Sequence, residues 1–232
     1  MPLGVLAIDK PEGIRSHPNQ KKIDSLSLLR AYYQPRDECY YWKDPTGRSQ
    51  RLYLLHRLDS PTSGIILMAK DVTIAKSIKS CFAEGKVKKT YHAIVSGFPK
   101  PTFGIWKDSI KKNTKDSFVR SNLTSDSSNI AISKYQVIGR IRRNRILTKL
   151  VLEPKTGKTH QLRLQCASHG FPILGDRTYG NFTINRWAKQ MFKTKRLFLH
   201  SQKIEFQLKY KQKFYCFSAE SQLPEDFTSL NS

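Results

Sequence analysis

The stretch LLHRLDSPTSGIILMAK, Leu54–Lys70, sets two apolar runs on either side of a turn signal, and the rest of the chain is read outward from it. Arg51 to Leu58 reads as a strand running into the turn, and Gly64 to Lys70 as the strand leaving it. Asp59, at the turn, is the only acidic residue between Pro45 and Lys70. It stands in a chain of 232 residues with 41 Lys+Arg against 18 Asp+Glu, a formal net charge of +23. An aspartate between an apolar strand and SPTSG is ordinarily a turn former, its carboxylate accepting from nearby backbone N–H groups. The question is why so basic a chain keeps one acid there.

Before this stretch, LGVLAIDK (residues 3–10) reads as a short strand ending in the turn KPEG, and Leu26, Leu29 and Tyr33 have helical spacing within Ser25 to Tyr33. After it, Asp71 is placed to cap a helix whose apolar side is Ile74, Ile78 and Phe82, with Gly85 as its stop. VKKTYHAIVSG alternates, which puts Val87, Lys89, Tyr91, Ala93 and Val95 on one strand face. The polar residues 108–129 read as a hairpin excursion or loop, followed by strands near Ile130–Gly139 and Arg145–Pro154. A helix starting near Thr159, whose hydroxyl suits the N-cap, breaks at Gly170, and RLFLHSQKIEFQL and KFYCFS close the chain as strands. Strands outnumber helices and come as hairpin-like neighbours. The expectation is an α+β single domain over residues 1–232, around a large mixed, mostly antiparallel sheet.

Composition narrows the function classes. The charge excess and a sequence pI near 10.0 make a polyanion the default partner. Nucleic acid is favoured over a membrane surface because no basic amphipathic helix stands out. The longest purely aliphatic run, IILMA, is far shorter than a spanning helix of about 20 residues. The N-terminus has no signal-peptide pattern, and Cys39, Cys81, Cys166 and Cys216 form no C-x-x-C pair, which fits inert buried thiols in a reducing compartment. A cytoplasmic protein is expected. TGKTH, Thr156–His160, contains the end of a phosphate-binding loop, but Leu152 stands where the motif needs glycine, so a nucleotide-binding NTPase is rejected. The six histidines are too dispersed for a metal site.

Four segments occur in order: GVLAIDKPEGI, LLHRLDSPTSGIILMAK, KKTYHAIVSG and PKTGKTHQLRLQCASHGFPILGDRTYG. Together they resemble the RluA-type family of pseudouridine synthases, from about Gly4 to Phe206, and RLFLHSQKIEF looks like the family's last motif. The resemblance implies the mixed-sheet fold of those synthases and an enzyme that isomerises uridine to pseudouridine within rRNA or tRNA. It puts Asp59 on the catalytic aspartate, Tyr91 on the tyrosine that stacks on the target base, and Arg163 on the arginine paired with that aspartate. Arg57 falls on the arginine that helps displace the flipped base, and Leu199 on an apolar residue lining the pocket. His56 and Lys89, beside these positions, are further candidate RNA contacts. Lys158 and Ser16 depart from the family pattern, the latter standing where an apolar residue usually precedes His-Pro. With the KPEG turn at residues 10–13, the S4-type module that some relatives carry ahead of the catalytic domain is not expected here.

The implied reaction breaks a glycosidic bond and remakes it through carbon, with no redox change and no group transfer, so no cofactor, nucleotide or metal is expected. It needs an ionised carboxylate. Burial pushes an aspartate toward its neutral form, and a paired guanidinium opposes that shift and fixes its direction. Tyr91 offers a flat face and a phenol near the base. A non-catalytic RNA-binding or ribosome-assembly module on the same scaffold is the alternative, and the presence of Asp59, Tyr91 and Arg163 together argues against it. The sequence is silent on the RNA, the uridine and the oligomeric state.

Overall fold

A computed structural model describes the chain except residues 19–22, 116–117, 143 and 229–232, together with the side chains of 114, 115, 118 and 127. In chain order the strands and helices are β1 (Val5–Lys10), β2 (Tyr32–Gln34), β3 (Cys39–Lys43), β4 (Ser49–Leu54), β5 (Ser63–Ala69) and α1 (Val72–Ala83). There follow β6 (Lys88–Ser96), β7 (Phe103–Lys115), β8 (Phe118–Leu123), β9 (Ile130–Arg142), β10 (Ile146–Pro154) and α2 (Gln161–Ser168). The last are α3 (Phe182–Phe192), β11 (Leu199–Tyr210), β12 (Lys213–Glu220) and α4 (Glu225–Thr228). The fold is α+β and mostly antiparallel, as the strand-rich reading expects. Contacts gather the chain into two compact units, residues 1–87 with 203–221, and residues 88–202 with 222–232.

In the first unit β5 is buried at all seven positions, which is why its sequence is a continuous apolar run. It pairs antiparallel with β1 from Val5↔Ala69 to Lys10↔Gly64. β4 meets it at Tyr53↔Ala69 and Leu54↔Met68. The core under this sheet joins Val5, Leu67, Ile74, Ile78 and Phe206, with Phe206 stacked on Phe217 at 4.6 Å. α1 forms where expected: the Asp71 carboxylate accepts from the N–H groups of Thr73 and Ile74, and the helix ends before Gly85.

The helix expected over Ser25–Tyr33 is absent; the segment is turns and bends leading into β2, and Leu26 is exposed. Local side chains capture the backbone there. Asp24 accepts from the Leu26 N–H, and the Ser27 hydroxyl donates to the carbonyls of Asp24 and Leu29. Such bonds offer the chain an alternative to helix. The strand expected to reach Leu58 ends at Leu54.

In the second unit β6 pairs with β10, β10 with β9, β9 with β7, and β7 with β8, all antiparallel. Within the polar residues 108–129, β7 and β8 pair as a hairpin from Ile110↔Leu123 to Lys115↔Phe118, and a 3-10 turn, Ser127–Asn129, follows. α2 begins at Gln161, close to where it is expected, but His160 rather than Thr159 holds the cap position, in left-handed backbone and with no side-chain cap bond. α3 does not stand out in the sequence, yet it is a basic helix with one buried side, and it corrects that reading. Ala188 is buried while Arg186 and Lys189 face solvent. Cys39, Cys81 and Cys166 are free and buried, as expected, whereas Cys216 is exposed because β12 turns that position outward. No described helix is long and apolar enough to cross a membrane.

Candidate active site

In the first unit, the residues between β4 and β5 carry His56, Arg57 and Asp59. The ladder continues briefly past β4, with the Leu55 N–H donating to Leu67, after which the chain leaves the sheet. His56 turns inward. Its Nε2 accepts from the Leu67 N–H at 3.0 Å, and its ring stacks on Phe82 at 4.9 Å, so it helps to hold the scaffold. Arg57 is exposed, and its Nη1 lies 3.2 Å from Nε2 of His17, whose ring stacks on Tyr33.

Asp59 follows Leu58, and Leu58 is pinned from both sides. The buried Ser16 hydroxyl donates to the Leu58 carbonyl at 2.7 Å and accepts from the Leu58 N–H at 3.0 Å. Ser16 is itself fixed, because the Tyr40 hydroxyl donates to its carbonyl. On the other side of Asp59, Ser60 is bound to the KPEG turn. Its carbonyl accepts from Gly13, and its hydroxyl donates to the Gly13 carbonyl. Lys10, with no exposed surface, donates to the carbonyls of Pro11, Ile14 and Ser60 at 2.7–3.0 Å. An ammonium has three donors, so these bonds match its capacity and make its burial tolerable. The Asp59 carbonyl closes the turn by accepting from Thr62. Asp59 itself is half-buried.

In the second unit, Tyr91 and Lys89 lie on β6, with Tyr91 buried and opposite Leu152 of β10. The Lys89 ammonium donates to the Thr156 carbonyl at 3.2 Å, just ahead of α2. Burial, and then the neighbouring Lys155 charge, pull its pKa down to about 8. Leu199 opens β11 and is buried.

Arg163 sits on α2, a helix whose buried residues include Gln161, Arg163 and Gln165. These polar groups are satisfied by β7, β9 and the loops on either side of α2. The Gln161 amide donates to Ile132 and Ser133, while its oxygen accepts from the Thr156 hydroxyl and the Lys158 N–H. Gln161 thus closes TGKT as a structural loop, which accounts for the segment that mimics a phosphate-binding motif. Gln165 donates to Asp108 and the Ala131 carbonyl and accepts from Ser133.

Arg163 presents Nε and Nη2 to the two oxygens of Asp176, at 2.8 and 2.9 Å, and Nη2 also reaches the Thr178 hydroxyl at 3.0 Å. Its Cζ lies 5.3 Å from the Tyr179 ring centre. Asp176 is 1% exposed. Burial works to raise its pKa, but Arg163 and the N–H groups of Thr178 and Tyr179 outweigh it and hold the carboxyl below its ordinary value. Two glycines make that loop possible. A Cβ on Gly175 would fall 1.8 Å from the Arg196 carbonyl oxygen, and one on Gly180 would fall 2.1 Å from that of Asp176. Sequence reasoning missed Asp176 as the partner of Arg163, and Ser16 and Lys10 as clamps. The only signal was that GDRTYG and KPEG belong to recognisable motifs. No group of three or more His, Cys, Asp or Glu among the described residues is arranged to hold a metal.

The family model described as RNA pseudouridylate synthase matches residues 4–168. A ribosomal large subunit pseudouridine synthase C of Rickettsia typhi is 34% identical over 191 residues, covering 81% of this chain and 57% of the relative. A tRNA pseudouridine synthase C of Yersinia pestis is 32% identical over 205 residues, covering 85% and 75%. The chain thus spans little more than half the length of the Rickettsia relative. Among solved structures, human RNA pseudouridylate synthase domain containing 1 shares the fold, with a TM-score of 0.68 and 23% identity over 95% of this chain and 80% of that one. The chain belongs to the RNA pseudouridylate synthase family.

Proposed function

We propose that this protein isomerises uridine to pseudouridine in structured RNA, ribosomal or transfer, acting as one catalytic domain over residues 1–232 in the cytoplasm. The observation that carries the reading is the HRLDSPTSG element, whose Asp59 lies in a loop fixed on both sides by Ser16 and Lys10 within a family match over residues 4–168. A carboxylate that must reach one carbon of a flipped nucleotide needs such a fixed backbone. In this reading Asp59 supplies the anion, Tyr91 stacks on the uracil, and Arg163 steadies the anion. Asp176 would hold the guanidinium in register by its Nε and Nη2 edge. Arg57, exposed at the loop, would occupy the stack left by the flipped nucleotide, offsetting part of the few kcal/mol that flipping costs. Lys89 would add positive charge toward RNA, Leu199 an apolar wall, and His56 support for the loop from within. The reaction moves a base within one nucleotide and calls on no cofactor.

The test is single-turnover conversion of ribosomal and transfer RNA transcripts, read by pseudouridine-specific chemical probing. Asp59→Asn keeps the shape and removes the anion. Conversion should fall by orders of magnitude while RNA affinity holds, and retention of roughly a tenth of the wild-type rate would refute the assignment.

A further inference from the structure

We propose that the solvent face of α3, together with Arg145 directly ahead of β10, is a docking surface for single-stranded RNA; it rests on the reading of the chain as an RNA enzyme. From Arg177 to Ile204 the sequence contains no Asp or Glu. Within that acid-free stretch Phe182, Arg186, Lys189 and Lys193 follow one another at i, i+4, i+7 and i+11, and all are exposed. Phe182, Arg186 and Lys189 thus share one stripe of the helix, about 10 Å long at 1.5 Å per residue, and Lys193 follows as its C-cap in left-handed backbone. The opposite side is already used: Asn181 caps the helix, Ala188 is buried and Ile184 half-buried.

Phe182 is 74% exposed. A single exposed phenylalanine is unremarkable. Here the Arg186 guanidinium lies 4.9 Å from its ring centre, and the arrangement is repeated beside it, with Arg145 5.9 Å from the ring of Trp187. A guanidinium on an aromatic face keeps its N–H fork directed outward, and the fork matches a phosphate. An exposed ring offers a face on which a base of any identity can stack. Cations in a row with an exposed ring beside them are therefore suited to a strand whose backbone is charged and whose bases are unstacked. A lipid surface suits them less, because it needs a continuous free apolar helix face, whereas Ala188 is buried, Ile184, Trp187 and Phe192 are partly buried, and the exposed Met191 lies on the side away from Phe182. An acidic protein surface would use the charges and leave Phe182 without a role.

The experiment measures binding of the intact protein to a labelled single-stranded RNA of roughly 20 nucleotides, at salt between about 50 and 200 mM. The Arg186→Gln, Lys189→Gln double variant should flatten the plot of log affinity against log salt by about 1.4, two contacts at about 0.7 each. Phe182→Ala should weaken binding about fivefold or more with the slope unchanged, as loss of one stacked base requires. All three positions are exposed, and unchanged circular dichroism will show that the fold is kept. An unaltered slope in the double variant, with wild-type binding salt-dependent as usual, overturns the surface and leaves the enzymatic reading in place. Loss of binding to phosphatidylserine vesicles with RNA binding intact also overturns it, in favour of a membrane. Absence of salt-dependent RNA binding by the wild type removes the enzymatic reading itself.

Discussion

Replacing Asp176 by asparagine keeps the side-chain shape and removes one charge from a buried, bidentate ion pair. The carboxylate is 1% exposed and accepts from Nε and Nη2 of Arg163 and from the N–H groups of Thr178 and Tyr179. An asparagine amide would turn its NH2 toward one of these donors, leaving that donor without an acceptor, and would leave the Arg163 charge, itself 5% exposed, without its counter-charge in this unit. Breaking a buried pair from one side costs about 3–5 kcal/mol. At about 2–4 °C per kcal/mol for a chain of this size, the midpoint of thermal unfolding should fall by roughly 6–20 °C. Urea unfolding, followed by circular dichroism, gives the same quantity without heating. The pH dependence supplies a second check. The folded-state pKa lies below the ordinary value, so the contribution is complete above about pH 4 and is lost as the pH falls through the folded value. The stability difference between wild type and variant should therefore shrink below about pH 4. A loss under about 1 kcal/mol at neutral pH would mean that the pair is no stronger than a surface contact, and the reasoning would be refuted.

Ser16→Ala removes both bonds to Leu58 and should lower the single-turnover rate about tenfold or more with little change in RNA affinity, while Ser16→Thr, which keeps the hydroxyl, restores most of it; a normal rate in the alanine variant would show that the loop holds without the clamp. Lys10→Met takes the ammonium from the carbonyls of Pro11, Ile14 and Ser60, of which Ser60 keeps the Gly13 N–H, and urea unfolding should show a loss of at least about 2 kcal/mol, a smaller loss arguing that water replaces the ammonium. For Lys89 the folded pKa, about 8, lies below the ordinary lysine value, so the folded state binds fewer protons above pH 8 and stability should rise with pH from there toward the lysine value. Lys89→Met should abolish that rise, and RNA affinity of the wild type should decline over the same interval; a parallel rise in the variant would assign the effect elsewhere.

β1, β5 and β6 were legible because their apolar residues either alternate, as in β6, or run continuously, as in β5, and both patterns report burial directly, whereas the short strands β2 and β3 were not read. α1 was legible from its cap. α3 could have been found from Asn181 followed by Ile184 and Ala188 at helical spacing, but its exposed face of Phe182, Arg186 and Lys189 dilutes the apolar period. The false helix over Ser25–Tyr33 shows the converse: Leu26, Leu29 and Tyr33 have the right period, yet hydrogen bonds from Asp24 and Ser27 take the backbone elsewhere. Period reports which face could be buried; side-chain competition decides whether the helix forms at all.

The residues that hold the candidate site were illegible for a different reason. Ser16 and Leu58 are 42 residues apart, Lys10 and Ser60 are 50 apart, and Gln165 reaches Asp108 across 57. Each is a polar residue that composition assigns to the surface and that the fold buries with its bonds satisfied. Such a residue becomes affordable only once a distant carbonyl or carboxylate is in place, so no local window contains the information. α2 shows the consequence: read alone, QLRLQCAS has no apolar face to bury, yet Gln161, Leu162, Arg163, Leu164, Gln165 and Cys166 are all buried. A helix buried on its polar side is stable only if nearly every donor and acceptor is matched, because each unmatched one costs about 1–3 kcal/mol. That requirement also fixes its rotation and depth, since a shift of one residue would break the bonds of Gln161, Arg163 and Gln165 together. An apolar core tolerates small slides; a matched polar one does not. The same property that hid the partners of α2 from sequence reasoning therefore makes the helix a suitable mount for Arg163, whose guanidinium must be aimed rather than merely buried.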